Sequence, residues 1–588
     1  MKTTTWARVG WLTACLFLLA HALASASEVD LMPVEEVRAG MTGKARTVFS
    51  GSMVEEFDVE ILGVLENWRP GGDLILARAY GESVERTGIA SGMSGTPVYI
   101  DGKLVGAIAY SWPFSKEPIA GVTPIGEMLA QGTLGGPDSG SIGDFGRVTS
   151  GASVGAMVQI ETPLLVSGFH PAVQEMIENE LQRYNMTVAQ TGSAGESRTG
   201  KLRLVPGAPL AAHFVTGDAS ASAIGTVTHV EGSKVLGFGH GLLQSGRAEI
   251  PMGTAYIHAV LPSLSSSLKL GSASDVVGTI TMDGAAGVVG EVGAVPELVP
   301  VHVTVETDGL QTREFNFGIM RHSLLTPSLA GWSVASAALT GGGSVGEITV
   351  QVQYEIELEE PGSGTRRLSY GDVFFSGSPA APIAQSLSEP LRGLLQNRFA
   401  DVEVLRVACR VSVEHVRKVA EVDEIYVSPQ VASPGDSVLV TVRMNPFRGK
   451  AHSEHFVLHI PATCSADRVK VRVCSAPEMR TWEEELTARR LPPEDLEQMM
   501  LRIATSGRGD RLECVAFVEG AEAGIKGESF PSPPASFSTV VGSSQRAGAV
   551  SERHVGILDA ATLQTDYVVW GCRTASLGID SGKSRRLQ

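Results

Sequence analysis

Cysteine is scarce in this chain and unevenly placed. Of six in 588 residues, one is Cys15 and the rest are Cys409, Cys464, Cys474, Cys514 and Cys572. The stretch between them, nearly four hundred residues, excludes a thiol nucleophile and a disulfide-stapled site. The five late cysteines are an odd set, so at least one stays free or pairs between chains; Cys464 and Cys474 are spaced to bridge neighbouring strands. No zinc-type spacing occurs. Positive charge is also in short supply, with 47 Lys and Arg against 64 Asp and Glu and a net charge of −17. That balance argues against a nucleic-acid partner. Beyond the first residues no apolar run approaches the roughly eighteen needed for a membrane helix, so no integral membrane segment is expected in the mature chain. HExxH, P-loop and dinucleotide fingerprints are missing, leaving metal hydrolysis and nucleotide chemistry without support. No cofactor is expected.

What is present begins with a secretory pattern. Lys2 and Arg8 precede an apolar core from Val9 to Ala20, and Ala22-Leu23-Ala24 or Ala24-Ser25-Ala26 offers a small-residue cleavage site. Residues 1–26 read as a signal peptide, which implies export to a periplasm, cell envelope or extracellular space and permits disulfides. With 67 glycines, only 19% charged residues and recurrent alternating Val-rich runs, the remainder reads as mainly β, with barrels and sandwiches. Its length implies several domains.

Residues 34–130 alternate strands with glycine turns, clearest in Phe57–Leu65 and Asp73–Ala79. A Gly/Ser/Asp-rich linker covers 131–152, and helical spacing with a leading Pro171 covers 171–185. A second β block spans 203–300. Residues 301–400 read as a β-sandwich-like continuation with a helix over 378–399. Residues 401–525 read as immunoglobulin-like strands, entered through the Ser433-Pro434-Gly435-Asp436 turn, plus two helices separated at Pro492-Pro493. Residues 526–588 form a Ser/Gly-rich tail.

The most informative string is Gly92-Met93-Ser94-Gly95-Thr96-Pro97, running into Val98-Tyr99-Ile100, an Asp101-Gly102 hairpin turn and a second strand. A serine boxed by glycines at the entry to a hairpin is how a chymotrypsin-like β-barrel presents a nucleophile. The glycines permit a sharp turn and bring backbone N–H groups close to a reacting carbonyl. These residues point to a serine peptidase.

Two blocks together resemble the SpoIVB-type serine peptidases, best known from sporulation signalling in endospore-forming bacteria. One comprises Val54–Ile61, Thr87-Gly88-Ile89 and Gly92–Pro97. The other comprises Asp218 to Gly225-Thr226, the Gly239-His240-Gly241 turn, Gly278-Thr279-Ile280 and Gly287–Gly290. The resemblance implies a chymotrypsin-like double β-barrel over residues 30–300, with a serine block at 34–130 and a histidine block at 203–300. It also implies one or a few specific protein substrates, the chain itself among them. The order is reversed relative to the sporulation enzyme, whose histidine block comes first. No PDZ module is evident, and Tyr80-Gly81 stands where that enzyme carries an aspartate.

Ser94 is thus the expected nucleophile, and the N–H groups of Gly92 and Ser94 the expected oxyanion hole. His240 is the expected general base, preferred by the resemblance over His213, which sits in an Ala-Ala-His-Phe context similar to trypsin's, and over mid-strand His229. For the acid, Asp73 leads because it opens Asp-Leu-Ile-Leu-Ala-Arg; Asp218, Asp283 and a Ser–His dyad assisted by a backbone carbonyl stand beside it. Trp112, Pro113 and Phe114 line either a substrate cleft or the core. The expected activity is an exported serine endopeptidase acting on protein or peptide substrates. The competing expectation is a non-catalytic secreted β-protein that uses the same scaffold for protein binding; a structural envelope protein would have no pocket at Ser94.

Overall fold

The computed structural model describes residues 30–133, 157–192, 202–308, 310–343, 347–362, 364–486, 493–505, 507–525, 528–530 and 550–580. The expected signal peptide lies outside them, as do almost all of the expected linker and the expected tail up to residue 549, apart from 528–530. The chain divides into two compact units, the first made of residues 1–167, 178–214 and 220–297, the second of 168–177, 215–219 and 298–588.

The first unit is built on two closed rings of six strands. In the first ring, β1 (Thr42–Thr47), β2 (Glu55–Arg69), β3 (Gly72–Tyr80), β4 (Thr96–Ile100), β5 (Lys103–Ser111) and β6 (Ile119–Pro124) run in the order β4-β1-β2-β3-β6-β5, closed by a β4–β5 pairing. Alternation explains the closure. Phe57, Val59 and Ile61, Ile75, Ala77 and Ala79, Val98 and Ile100, and Ala120 and Val122 point inward into one buried core. Each such large aliphatic side chain contributes about 1.5–3 kcal/mol on burial. The short β7 (Val158–Gln159) pairs with the end of β5, Tyr110 opposite Gln159.

After β8 (Thr162–Ser167) and β9 (Met186–Gln190) comes the second ring. It contains β10 (Pro209–Gly217), β11 (Ser220–Glu231), β12 (Lys234–Gly237), β13 (Gly246–Leu261), β14 (Leu268–Gly284) and β15 (Gly287–Val292), ordered β10-β13-β14-β15-β12-β11 and closed by a β10–β11 pairing. The double barrel of a chymotrypsin-like architecture is therefore present, followed by a β-rich remainder.

In the second unit, residues 301–400 do not form the expected sandwich continuation. The strands β16 (Leu298–Thr307), β17 (Arg313–Met320), β18 (Ile348–Glu360), β19 (Gly364–Ser376) and β20 (Glu403–Glu414) make one sheet ordered β19-β18-β20-β16-β17. Helices Thr326–Gly342 and Ala380–Leu395 pack against each other, Thr326–Gly342 also lying on β16. Small residues allow that contact: a Cβ on Gly331 would lie 2.5 Å from the Ala384 carbonyl. From β21 (Val419–Ser428) onward the chain forms a two-sheet sandwich with one buried core. The turn before its strand Ser437–Pro446 is closed by Asp436, whose carboxylate accepts from Ser433 N at 2.7 Å. The residues expected to be a Ser/Gly-rich tail instead supply the strands Val550–Gln564, Val568–Trp570 and Arg573–Ile579. Composition misleads there because the segment's alternating residues find strand partners far back in the chain, Arg573–Ile579 pairing with Arg468–Ser475.

The disulfide joins Cys474 to Cys572, a separation of 98 residues, leaving Cys409, Cys464 and Cys514 as buried thiols. The spacing that suggested Cys464–Cys474 loses to sheet pairing, which sets Val473 opposite Arg573 and so brings their neighbours together. Closing so long a loop restricts the unfolded chain. Reduction should lower the stability of the sandwich by about 2–4 kcal/mol, read by denaturant titration with and without reductant; superimposable curves would contradict this.

Candidate active site

Ser94 sits in a tight turn leading into β4. Met93 N donates to Ala90 O and Thr96 N to Met93 O, both at 2.9 Å, while the Met93 side chain anchors the turn in the core of the first ring. Gly92 and Gly95 have φ of +91° and +96°, the left-handed region that disfavours any side chain. At Gly95 space forbids one as well, since a Cβ would stand 2.0 Å from the Thr226 carbonyl oxygen.

The second ring grips this turn from β11. Thr226 N donates to Ser94 O at 2.8 Å, Thr226 Oγ1 to Gly92 O at 2.9 Å, and Thr228 Oγ1 to Gly95 O at 2.8 Å. Three of the turn's four carbonyls from Gly92 to Gly95 are thereby turned toward β11. Gly95 N donates to Ile108 O at 2.8 Å. Among the described residues, the amide N–H groups of Gly92 and Ser94 have no acceptor.

His240 follows β12 on another left-handed turn, Phe238 at φ +64° and Gly239 at +68°. Thr123 Oγ1 on β6 donates to Gly239 O at 2.7 Å, tying this turn to the first ring. A Cβ on Gly239 would stand 3.1–3.3 Å from Ala107 Cβ, Ala109 Cβ and Ile108 O. The serine and histidine turns therefore meet at the same carbonyl, that of Ile108. Both Ser94 and His240 are fully buried, and Ser94 Oγ and His240 Nε2 each lack a hydrogen-bond partner. They make no hydrogen bond to each other in this closed arrangement. Burial lowers the imidazole pKa to about 4, so the ring is neutral at pH 7.

His240 Nδ1 faces two groups, Gln159 Nε2 at 2.7 Å and the Gly241 carbonyl at 2.9 Å; Gln159 Nε2 is also 3.1 Å from that carbonyl. The aspartates are elsewhere. Asp73 lies at the β2–β3 turn, where Oδ1 accepts from Asn67 N at 2.9 Å. Asp218 is exposed in the second unit and accepts from Asn316 N at 2.6 Å. Asp283 is buried and accepts from Leu242 N and Leu243 N, each at 2.7 Å, so it pins the loop leaving His240. Burial raises its pKa against those donors. Of the rival histidines, His213 is buried within β10 against Ser222 Oγ at 2.9 Å, and His229 is half-buried on β11. Burial lowers both pKa values, His213 to about 4.

Two residues escaped the sequence reading. Gln159 carries no signal, because a glutamine on a two-residue strand looks like any polar edge residue. Lys269 is the other: it is fully buried, its stem packs beside Gly92, Lys269 N donates to Ser91 O at 3.1 Å, and Nζ donates to Thr47 Oγ1 at 2.6 Å. No carboxylate lies within ion-pair range of it among the described residues. A lysine in an alternating strand ordinarily reads as solvent-facing.

Taken together, the double barrel and the serine turn define a peptidase-like site. Residues 19–128 match the model of the SpoIVB peptidase S55 family. That match supports the serine peptidase relationship read from the sequence and contains the first ring, Asp73 and Ser94; His240 lies beyond it. Comparison with curated proteins and with solved structures finds no match.

Burial pushes Lys269 from its ordinary 10.5 down to about 7. A base with a depressed folded pKa contributes stability that is fully present above its unfolded pKa and is lost as pH falls through the folded one. Between pH 7 and 10, wild type should therefore gain on the order of a few kcal/mol relative to Lys269→Met. Denaturant midpoints measured across that window check it, and parallel curves for the two proteins would contradict it.

Proposed function

We propose that the chain is an exported serine endopeptidase in which Ser94 attacks the scissile carbonyl and His240 is its base. The observation that carries this reading is that Ser94 Oγ and His240 Nε2 are both buried and unpartnered and sit on turns that each approach the Ile108 carbonyl. Buried polar atoms without partners cost about 1–3 kcal/mol each, and such costs are concentrated where function requires them.

In the proposed reaction His240 takes the Ser94 proton as Oγ bonds to the substrate carbonyl carbon, and returns it to the departing amine. The free N–H groups of Gly92 and Ser94 receive the negative charge that forms on the carbonyl oxygen. Water then hydrolyses the acyl-enzyme by the same path reversed. With Asp73, Asp218 and Asp283 all engaged with backbone N–H groups, the arrangement supports a Ser–His dyad whose Nδ1–H donates to the Gly241 carbonyl 2.9 Å away. Full burial of both dyad residues means that covering side chains must part before a peptide enters.

A fluorophosphonate probe tests the reading. Folded wild type should label, while Ser94→Ala and His240→Ala should not. Thr226→Val, which removes one carbonyl tether, should slow labelling about tenfold, the equivalent of ~1.4 kcal/mol. Folded wild type that never labels would favour a binding scaffold, the reading to which the missing Ser94–His240 hydrogen bond lends support.

A further inference from the structure

Three segments of the first unit enclose a pocket of about 60 Å³: residues 87–89, residues 111–119 from the β5–β6 turn, and residues 263–267 between β13 and β14. One wall belongs to the serine turn. Ser91 N donates to Ser267 O at 2.7 Å, and the Ser91 and Ser266 hydroxyls are 2.9 Å apart. Ser267 Oγ donates to Thr87 O, and residues 87–89 run on directly through Ala90 and Ser91 to Gly92. Trp112 and Phe114, which on sequence alone suit either a cleft or the core, both line the pocket and neither is buried.

The lining is rich in hydroxyls. Ser115 Oγ is spent on Glu117 O at 2.7 Å, whereas Ser111 Oγ and Ser265 Oγ have no hydrogen-bond partner among the described residues. A hydroxyl both donates and accepts, so these two can exchange bonds with a hydroxyl brought to them. The charged residue of the lining, Glu117, is already paired with Arg78 Nε at 2.9 Å. Size narrows the choice further. A cavity of roughly 150 Å³ takes up benzene; this pocket has less than half that room and suits a short side chain. At its rim Phe114 is 72% and Leu264 93% exposed. Phe114 also has φ of +58°, costly for a bulky residue, and such strain gathers where ligands are held.

We propose that this pocket is a specificity subsite for a serine or threonine side chain of the substrate polypeptide, with Phe114 and Leu264 covering the residues beside it. The inference rests on the peptidase reading above and names the side chain that the site selects. Ser111 and Ser265 bond the incoming hydroxyl. An alanine leaves both without a partner, and a site built to bond a hydroxyl discriminates against the analogue that lacks one. Aromatic rings and lysine stems exceed the space.

Immobilised Ser94→Ala protein, which can bind without cleaving, tests this with a random peptide library whose retained members are sequenced by mass spectrometry. One position of the retained peptides should be enriched about tenfold in Ser and Thr over Ala, Phe and Lys. In that background the pair Ser111→Ala and Ser265→Ala should erase the preference over Ala. Ser265→Phe, at an exposed position, should fill the pocket and abolish the enrichment altogether. With Ser94 intact, Ser265→Phe should label with fluorophosphonate as fast as wild type, because that probe needs only the dyad. Retained peptides without a Ser/Thr position, no retention at all, or enrichment unchanged in both variants overturns the proposal. The readouts separate the two readings: wild-type labelling without enrichment rejects the subsite alone. Enrichment that Ser265→Phe abolishes, without labelling of wild type, rejects the peptidase and leaves the pocket a peptide-binding site.

Discussion

The grip of β11 on the serine turn is the constraint from which the rest of the site follows. Turns that expose a serine at a hairpin entry must satisfy several carbonyls within a few residues, and here Thr226 and Thr228 take three of them. Orienting carbonyls toward one side leaves N–H groups for the other, which is how a turn becomes an anion-binding feature without any charged side chain. The same three bonds join the rings, so Ser94 is held by both barrels at once. Gly95 has no freedom in this scheme: positive φ and the proximity of Thr226 O each separately require glycine.

Electrostatically the site is built from neutral groups. His240 and His213 are pushed by burial toward the uncharged form, and among the described residues no carboxylate hydrogen-bonds to either ring. The buried charge-bearing groups are displaced by one step. Asp283 holds the loop after His240 through backbone N–H groups, and Lys269 lies behind Gly92 with a hydroxyl as partner. An imidazolium forming at His240 would find the Gly241 carbonyl dipole in place of a full negative charge, a weaker partner than the aspartate of a complete triad.

The sequence made the barrels legible because each inward strand obeys a period of two, as in Phe57, Val59 and Ile61, and glycine pairs marked the turns. Ser94 and His240 were legible for a different reason: each lies in a glycine box whose local string is unusual. What resisted reading depends on contacts distant in sequence. Helix Thr326–Gly342 shows no amphipathic stripe because it is buried on nearly every face. The strands after residue 550 hide in a composition of small polar residues. Asp73 was preferred as the acid on the sequence beside it, yet its hydrogen bond closes a local turn; a partner for Nδ1 is fixed by which loop crosses the ring, and no spacing encodes that.

The reversed order of the two blocks loses its strangeness once both are seen as closed rings. Each ring completes its own strand pairing, and Ser94 and His240 occupy turns that both approach the Ile108 carbonyl, so nothing in the geometry prescribes which ring comes first. The family match, confined to residues 19–128, covers the ring that carries Ser94 and the free N–H groups of Gly92 and Ser94. That segment alone contains neither the tethers from Thr226 and Thr228 nor the imidazole. A chain could thus keep the signature of the first ring and lose the chemistry through changes in the second. The residues that decide between peptidase and scaffold are those on β11, the His240 turn and β7, more than the serine motif itself.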